Sequence, residues 1–264
     1  MNMFLRELKA NRKALIIWST CMALLVLSGM GKYTAYSAGG ASSDIFNKMP
    51  YSVKALLGFG SFDVTTMSGY FAMLFLYLEL AAAIHAVLLG SGIIAKEERD
   101  KTTEFLMVKP VSRIAILASK FLAAFLNIAV MNIVSLLSSI VMVSAYNKGK
   151  DITAEIGMFF ISMFIVQLVF LAAGAAVAAC IRNPKASGSL SVGILLASFM
   201  ISKVTDLYDK LNVLNLLVPF KYFSYKDIVE GKGLNFMIAL LSVLLAAALL
   251  ISTCFFYRKR DLTV

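Results

Sequence analysis

The residues best placed to do chemistry in this sequence are two ionisable side chains inside long apolar runs. Glu79 and His85 both lie in the second such run. A charged group is costly in lipid, so it usually faces a cavity or a partner. Their six-residue separation places them about 240° apart on a helix, so they do not form an obvious pair. Glu79 is a candidate to line a pathway or a dimer seam, with a protonated or hydrogen-bonded structural carboxyl as the alternative. For His85 the alternative is a satisfied packing residue.

Other polar and aromatic residues in the apolar runs extend this candidate set. Asn127, Asn132 and Gln167 are predicted to hydrogen-bond between helices. Phe75 belongs to a Phe-rich group in the second and fourth runs, and a Phe- and Met-rich surface suits amphipathic substrates without strict specificity. The candidate residues for a pathway or a dimer seam are therefore Glu79, His85, Phe75, Asn127 and Gln167.

The sequence lacks the common catalytic motifs. It contains no G-x-x-x-x-G-K-[ST] phosphate loop and no H-E-x-x-H, and it has a single histidine. Its three cysteines, Cys21, Cys180 and Cys254, all fall in apolar runs, which predicts neither a disulfide framework nor a metal site. We therefore expect no enzyme activity and no directly bound cofactor.

Composition identifies the elements that must position these groups. Hydrophobic residues make up 60% of the 264 residues, and charged residues only 15%, against roughly 25% in soluble domains. A helix needs about 20 apolar residues to cross a bilayer. Six spans are predicted, which gives an all-α integral membrane protein with one domain over residues 1–264: Ala14–Gly29, Tyr70–Ala95, Leu117–Tyr146, Ile156–Ile181, Gly188–Ser202 and Phe236–Tyr257.

The distribution of Lys and Arg predicts the orientation. With both termini inside, 14 basic residues lie in the inner loops and tails and 10 in the longer outer loops, while Lys120 lies within the third span. Cytoplasmic loops carry the excess of positive charge in membrane proteins. We therefore predict a multi-pass protein of the plasma membrane with cytoplasmic termini. The net charge of +10 is explained by topology and anionic lipid rather than by nucleic acid.

Three segments outside the spans have an amphipathic pattern. Met1–Lys13 predicts a helix lying in the inner interface, with a plain positive flank as the alternative. Tyr51–Phe59, after Pro50, predicts a short helix on the outer surface. Leu211–Phe223 is too short to span and predicts a re-entrant or surface helix that Pro219 stops.

The inner loop between spans 2 and 3 reads AKEERDKTTEFLMVKPVSR, from Ala95 to Arg113. Thr102 or Thr103 can cap a short helix, with Glu104 in its first turn. Phe105, Leu106 and Val108 give that helix an apolar side, and Pro110 ends it. A two-faced helix of this kind suits docking into a groove of a partner protein. A charged loop that only separates two spans is the alternative.

This loop resembles the first cytoplasmic loop of type-2 ABC exporter permeases, in which a charged run leads into Thr-x-Glu-hydrophobic and then Pro-Val-Ser-Arg. Many relatives have Gly where this chain has Lys101. The six spans, RNPKASGS at Arg182–Ser189 and PFKYF at Pro219–Phe223 are also similar to that family. The residues that match this motif are Glu97, Glu98, Thr102, Thr103, Glu104, Phe105, Leu106, Pro110, Val111, Ser112 and Arg113. The resemblance assigns all of them except Val111 and Ser112 to ATPase coupling.

The resemblance implies a permease subunit without nucleotide of its own. Thr102–Lys109 would be a coupling helix seated on a separate ABC ATPase, which would bind ATP and Mg²⁺. A second permease chain, identical or not, would complete the pathway. The implied cargo is a hydrophobic or amphipathic small molecule or peptide; sodium efflux within the same family and an ion-gradient-driven secondary transporter are the alternatives.

Overall fold

A computed structural model describes residues 3–37, 48–58, 62–101, 112–147, 149, 151–181 and 183–259. The described part of the chain is helical and contains six helices long and apolar enough to cross a membrane. The helices are α1 (Met3–Met30), α2 (Tyr33–Tyr36), α3 (Tyr51–Leu56), α4 (Met67–Arg99), α5 (Arg113–Tyr146), α6 (Thr153–Cys180), α7 (Ser187–Leu207), α8 (Tyr225–Val229) and α9 (Phe236–Lys259).

The six long helices confirm the six predicted spans. Each covers its predicted range to within a few residues, except that α1 begins eleven residues earlier, at Met3 instead of Ala14. Helices are the expected spanning structure because lipid offers no partner to a free backbone N–H or C=O group. The predicted coupling helix, Thr102–Lys109, lies outside the described residues, as does Pro110.

The N-terminal segment differs from the prediction of a separate interfacial helix. Met3 to Met30 forms one continuous helix, so the amphipathic part is the first three turns of the first span. No Pro or Gly occurs from Met3 to Ser28 to break the helix. The buried carboxylate of Glu7 also ties this part of α1 to Lys96 of α4, at 3.7 Å.

Helices α4 and α6 form the centre of the bundle and are the most buried spans. Helix α1 packs mainly against α5, α9 against α6, and α7 against both α4 and α6. Two glycines set the distance between the central helices. A Cβ atom on Gly90 would lie 2.0 Å from the carbonyl oxygen of Leu171, and one on Gly174 would lie 2.3 Å from that of Val87. Small residues at a crossing allow this close approach of helices in a membrane.

The segments between spans differ from prediction in detail. The outer helix predicted over Tyr51–Phe59 is present as α3, which ends at Leu56. The predicted helix over Leu211–Phe223 is instead two 3-10 segments, Asp209–Leu217 and Pro219–Lys221. Pro219 begins the second segment rather than stopping the first, because the first turn of a helix has no internal partner for an N–H group.

The end of α4 contains a strained residue. Asp100 closes the helix, with its N–H donating to the carbonyl of Lys96, and Lys101 follows with a φ of 54°. This left-handed conformation after a helix is the usual place for glycine, and it penalises any residue with a Cβ atom. The backbone at Lys101 thus gives a physical reason why many members of the family that the sequence resembles have Gly at this position.

We expect Gly90→Ala to lower the thermal unfolding temperature of the purified chain. The added methyl must push the α4 and α6 backbones apart, and overpacking of this kind costs roughly 1–3 kcal/mol. Gly92→Ala is the matched control, since a Cβ atom there meets nothing within 4 Å and alanine favours a helix. Equal unfolding temperatures for the two variants would contradict the proposed contact.

We expect Lys101→Gly to raise the unfolding temperature, because glycine removes a left-handed penalty of about 1 kcal/mol. Lys101→Ala removes the same charge but keeps the Cβ atom, so it separates backbone strain from electrostatics. Thermal unfolding of both variants checks the prediction. A gain for Lys101→Ala as large as that for Lys101→Gly would show that charge, not backbone conformation, is responsible.

Candidate coupling site and buried polar contacts

An ion pair buried between α4 and α5 closes the base of the inner loop. The ammonium of Lys120 donates to Oε2 of Glu97 and to the carbonyl of Ile93, each at 2.5 Å. Both side chains are almost fully buried, with 1% and 4% of their surface exposed. A charged pair in such surroundings is screened very little, and removing one partner leaves an uncompensated charge. The pair therefore fixes the last turn of α4 against the second turn of α5.

Two further contacts join this region to the peripheral helices α1 and α9. Lys96 lies 3.7 Å from the buried carboxylate of Glu7 on α1. Arg113, the first residue of α5, donates to the carbonyl of Arg258 near the end of α9, at 3.3 Å. The side chain of Ser112 accepts a hydrogen bond from the N–H of Ala115 and caps α5. The described residues on both sides of segment 102–111 are thus held by specific contacts.

Three of the predicted coupling residues, Glu97, Glu98 and Arg113, lie in the described structure. Glu97 is buried in the ion pair with Lys120 and holds the base of the loop, and its role in coupling stays a prediction. Glu98 is half-buried beside it, and Arg113 lies at the start of α5. The other predicted coupling residues lie outside the described residues: Thr102, Thr103, Glu104, Phe105, Leu106 and Pro110.

Glu79 lies in the first half of α4, near its middle, and it is buried. The phenol of Tyr225 on α8 donates a hydrogen bond to Oε2 of Glu79. Burial raises the pKa of Tyr225 well above its ordinary value, so the phenol stays protonated and remains a donor. The Tyr225 ring packs edge-on against Phe75 and Phe159, with centroids at 5.6 and 5.7 Å. This contact holds the connection between α7 and α9 against α4 and α6.

The remaining candidates for a pathway or seam are also buried inside the single chain. The ring of His85 lies 5.4 Å from that of Trp18 on α1. Gln167 accepts a hydrogen bond from Asn132 and donates to the carbonyl of Ala82 at 3.3 Å, which confirms the predicted polar contact between helices for these two residues. Asn127 is buried on α5 without a hydrogen-bond partner for either side-chain atom in the described structure. A pathway or seam role for the set stays a prediction.

The structure identifies three contact residues that sequence reasoning missed. Glu7, Lys120 and Tyr225 are the partners of Lys96, Glu97 and Glu79. Lys120 carried a signal, because a lone cation in an apolar span must find an anion or a carbonyl. No comparable signal marks Tyr225, which lies 146 residues from its partner. Within the described residues, no group of three His, Cys, Asp or Glu could hold a metal ion.

We expect Glu97→Gln to destabilise the chain by about 3–5 kcal/mol, because Lys120 keeps its charge in a site that no longer compensates it. The double variant Glu97→Gln with Lys120→Met should recover much of that loss. Asp100→Asn is the control, since its pair with Arg99 is about half exposed and contributes little. Thermal unfolding of the purified variants measures all three. A double variant less stable than Glu97→Gln alone would contradict the assignment.

The family described as ABC-2 family transporter protein matches residues 1–262. A search among curated proteins gives no significant match. The match extends from the start of α1 to beyond the end of α9 and so includes all six spans and the loop between α4 and α5. The chain belongs to the ABC-2 family of transporter proteins, as a membrane-spanning permease of the ABC type.

Proposed function

We propose that this chain is the permease subunit of an ATP-driven exporter whose ATPase is a separate polypeptide. The observation that carries the proposal is the family match over residues 1–262. The sequence contains no P-loop to bind nucleotide itself. The energy of ATP hydrolysis must then enter through a contact with another protein.

The proposed contact is the segment Thr102–Lys109, acting as a coupling helix. Its two flanks support this role, because α4 and α5 are joined by the Glu97–Lys120 pair immediately beside it. A displacement of the segment would reach both helices together. Arg113 extends the connection to α9, and Lys96 extends it to α1. Force applied at one small surface would thus be distributed over four spans.

The proposed orientation places this loop and both termini in the cytoplasm, in the plasma membrane. All seven arginines lie at the terminus side of the bundle in the predicted topology, as the positive-inside tendency requires. The ATPase would then bind where cellular ATP is available.

The proposed working unit contains two permease chains, identical or different, with the pathway formed between them. Exposed apolar faces on α1 and α7, with Ile16, Ile17, Leu190 and Ile194 each about half exposed or more, leave surface for lipid and for a second chain. A hydrophobic or amphipathic small molecule or peptide is the proposed cargo, with sodium ion as the rival.

A secondary transporter remains the rival from a different class. That mechanism favours interrupted spans and paired ionisable residues near the bilayer midplane. Here Glu79 contacts Tyr225 on α8, and His85 contacts Trp18 on α1, so the two ionisable residues of α4 have different neighbours. This separation supports the ATP-driven proposal.

We expect an ABC ATPase to co-purify with the tagged chain from native membranes, and Glu104→Lys or Phe105→Ala to reduce its capture by tenfold or more. A hot-spot contact of about 1.4 kcal/mol or more corresponds to such a change. Mass spectrometry of the eluate, with the ATPase quantified against the permease, measures it.

Glu230→Lys is the matched control, because it makes the same charge reversal at an exposed position on the opposite end of the bundle. It should leave capture unchanged. Absence of a P-loop protein from the wild-type eluate would contradict the proposal. Equal capture by Glu104→Lys and Glu230→Lys would exclude the assigned segment.

A further inference from the structure

Two adjoining cavities of different character meet at Lys221, at the end of the bundle opposite the termini. One is a polar pocket of about 260 Å³ that also includes Lys203, Asp206 and Tyr225. The other is an open, mainly apolar cleft of about 850 Å³ between α6, α7 and α9. Lys221 lines both. A charged pocket continuous with an apolar cleft is complementary to a molecule with an ionic head and a hydrocarbon chain.

The polar pocket has more positive than negative charge. Lys203 and Lys221 share the single carboxylate of Asp206: Nζ of Lys203 lies 3.5 Å from one oxygen, and Lys221 donates to the other. Lys226 adds a third ammonium to the lining. Lys203 is only 8% exposed, although burying an ammonium is costly without full compensation. An additional anion in the pocket would supply that compensation.

The apolar cleft has the depth of one membrane leaflet. Its α9 wall runs from Ile238 to Leu249, which is about 16 Å at 1.5 Å per residue. This length is close to half of the 30 Å hydrocarbon core. Val213 and Leu216 of the 3-10 segment Asp209–Leu217 border the cleft with 84% and 77% of their surface exposed. Such exposure of apolar side chains fits a lipid environment.

Polar atoms without partners line the cleft between its two ends. The hydroxyl of Ser198 and the side-chain oxygen of Asn215 are buried and form no hydrogen bond within the described residues. A buried polar atom without a partner costs free energy, which a polar group of a bound molecule would recover. The lining thus changes from ammonium groups in the pocket, through amide and hydroxyl groups, to hydrocarbon side chains in the cleft.

We propose that the cleft and the pocket together bind one anionic phospholipid from the leaflet on the side opposite the termini. Its phosphate-bearing head lies against Lys221 and Lys203, its glycerol ester region lies near Asn215, and an acyl chain follows Ile194, Leu241 and Leu245. Asp206 competes with the head group for the two lysines. The site is a property of the permease chain and does not depend on coupling to an ATPase.

The test uses tryptophan fluorescence quenched by brominated lipid. Trp18 is the only tryptophan, and Trp18→Phe keeps an aromatic ring beside His85. In this background, a tryptophan replaces either Leu241, which lines the cleft, or Leu244, which does not. Both leucines are 56% exposed on the same helix, so both see bulk lipid equally. The full-length variants are placed in phosphatidylcholine nanodiscs that contain a small fraction of brominated phosphatidylglycerol or brominated phosphatidylcholine.

We expect Leu241→Trp to be quenched more by brominated phosphatidylglycerol than by brominated phosphatidylcholine, with a preference of roughly five-fold. Leu244→Trp should show no preference. Lys221→Gln should abolish the preference at position 241, and Asp206→Asn should increase it, because it removes the competing carboxylate. Lys210→Gln is the control: this lysine is exposed on the same connection but lines neither cavity.

Equal quenching by the two lipids at position 241 would overturn the proposal, as would a preference that persists in Lys221→Gln. If Asp206 had only a structural role and did not compete with the head group, Asp206→Asn would show no increase in the quenching preference for brominated phosphatidylglycerol. Native mass spectrometry of the chain without added tryptophans gives an independent readout. Preferential retention of phosphatidylglycerol that is lost in Lys221→Gln but kept in Lys210→Gln supports the site, and no preferential retention rejects it.

Discussion

The close contact between the backbones of α4 and α6 is the constraint on which the rest of the bundle depends. It exists because Gly90 and Gly174 present no side chain where each helix meets a carbonyl of the other. In lipid, where the hydrophobic effect does not drive helices together, such close packing supplies much of the association energy. The other four spans pack around this pair, and α4 carries Glu79, His85 and Glu97. Their positions therefore follow from one contact that only small residues allow.

The two buried carboxyl groups of α4, Glu97 and Glu79, have different partners. At the terminus side, Glu97 and Lys120 form a full ion pair, which joins α4 to α5 beside the inner loop. Nearer the middle of α4, Glu79 has a neutral phenol as its hydrogen-bond donor. A buried ion pair is costly to break because either partner alone is strongly disfavoured. A neutral donor sets a smaller barrier to separation, so the contact with α8 is the weaker of the two.

This difference matches the roles proposed for the two sides. A joint that transmits force must be rigid, and on the terminus side two ion pairs and the hydrogen bond from Arg113 to the carbonyl of Arg258 link four spans. On the other side, the connection from α7 to α9 consists of short 3-10 segments and the five-residue helix α8. Its apolar side chains border an open cleft, and two of its lysines, Lys221 and Lys226, line a pocket with excess positive charge. Both features suit contact with lipid more than rigid transmission.

The sequence by itself determined the six spans, their chain order and the asymmetric placement of arginine, because apolar length and charge are local properties. It also predicted that Gln167 forms a hydrogen bond between helices. The prediction from sequence was wrong for α1. The change from polar to apolar residues after Lys13 does not end the helix, because no Pro or Gly is present there to break it. The prediction was also wrong at Pro219, which begins a 3-10 segment instead of ending a helix.

Only the tertiary structure decided which groups meet. Lys120 pairs with Glu97 across 23 residues of sequence, and Tyr225 reaches Glu79 across 146. Several acids stand near the ends of the spans, and periodicity cannot choose among them, because the choice depends on how each helix is rotated and placed. That arrangement results from packing among all six helices. The junction at Lys221 has the same origin, since its two cavities are lined by residues from separate helices that no local pattern connects.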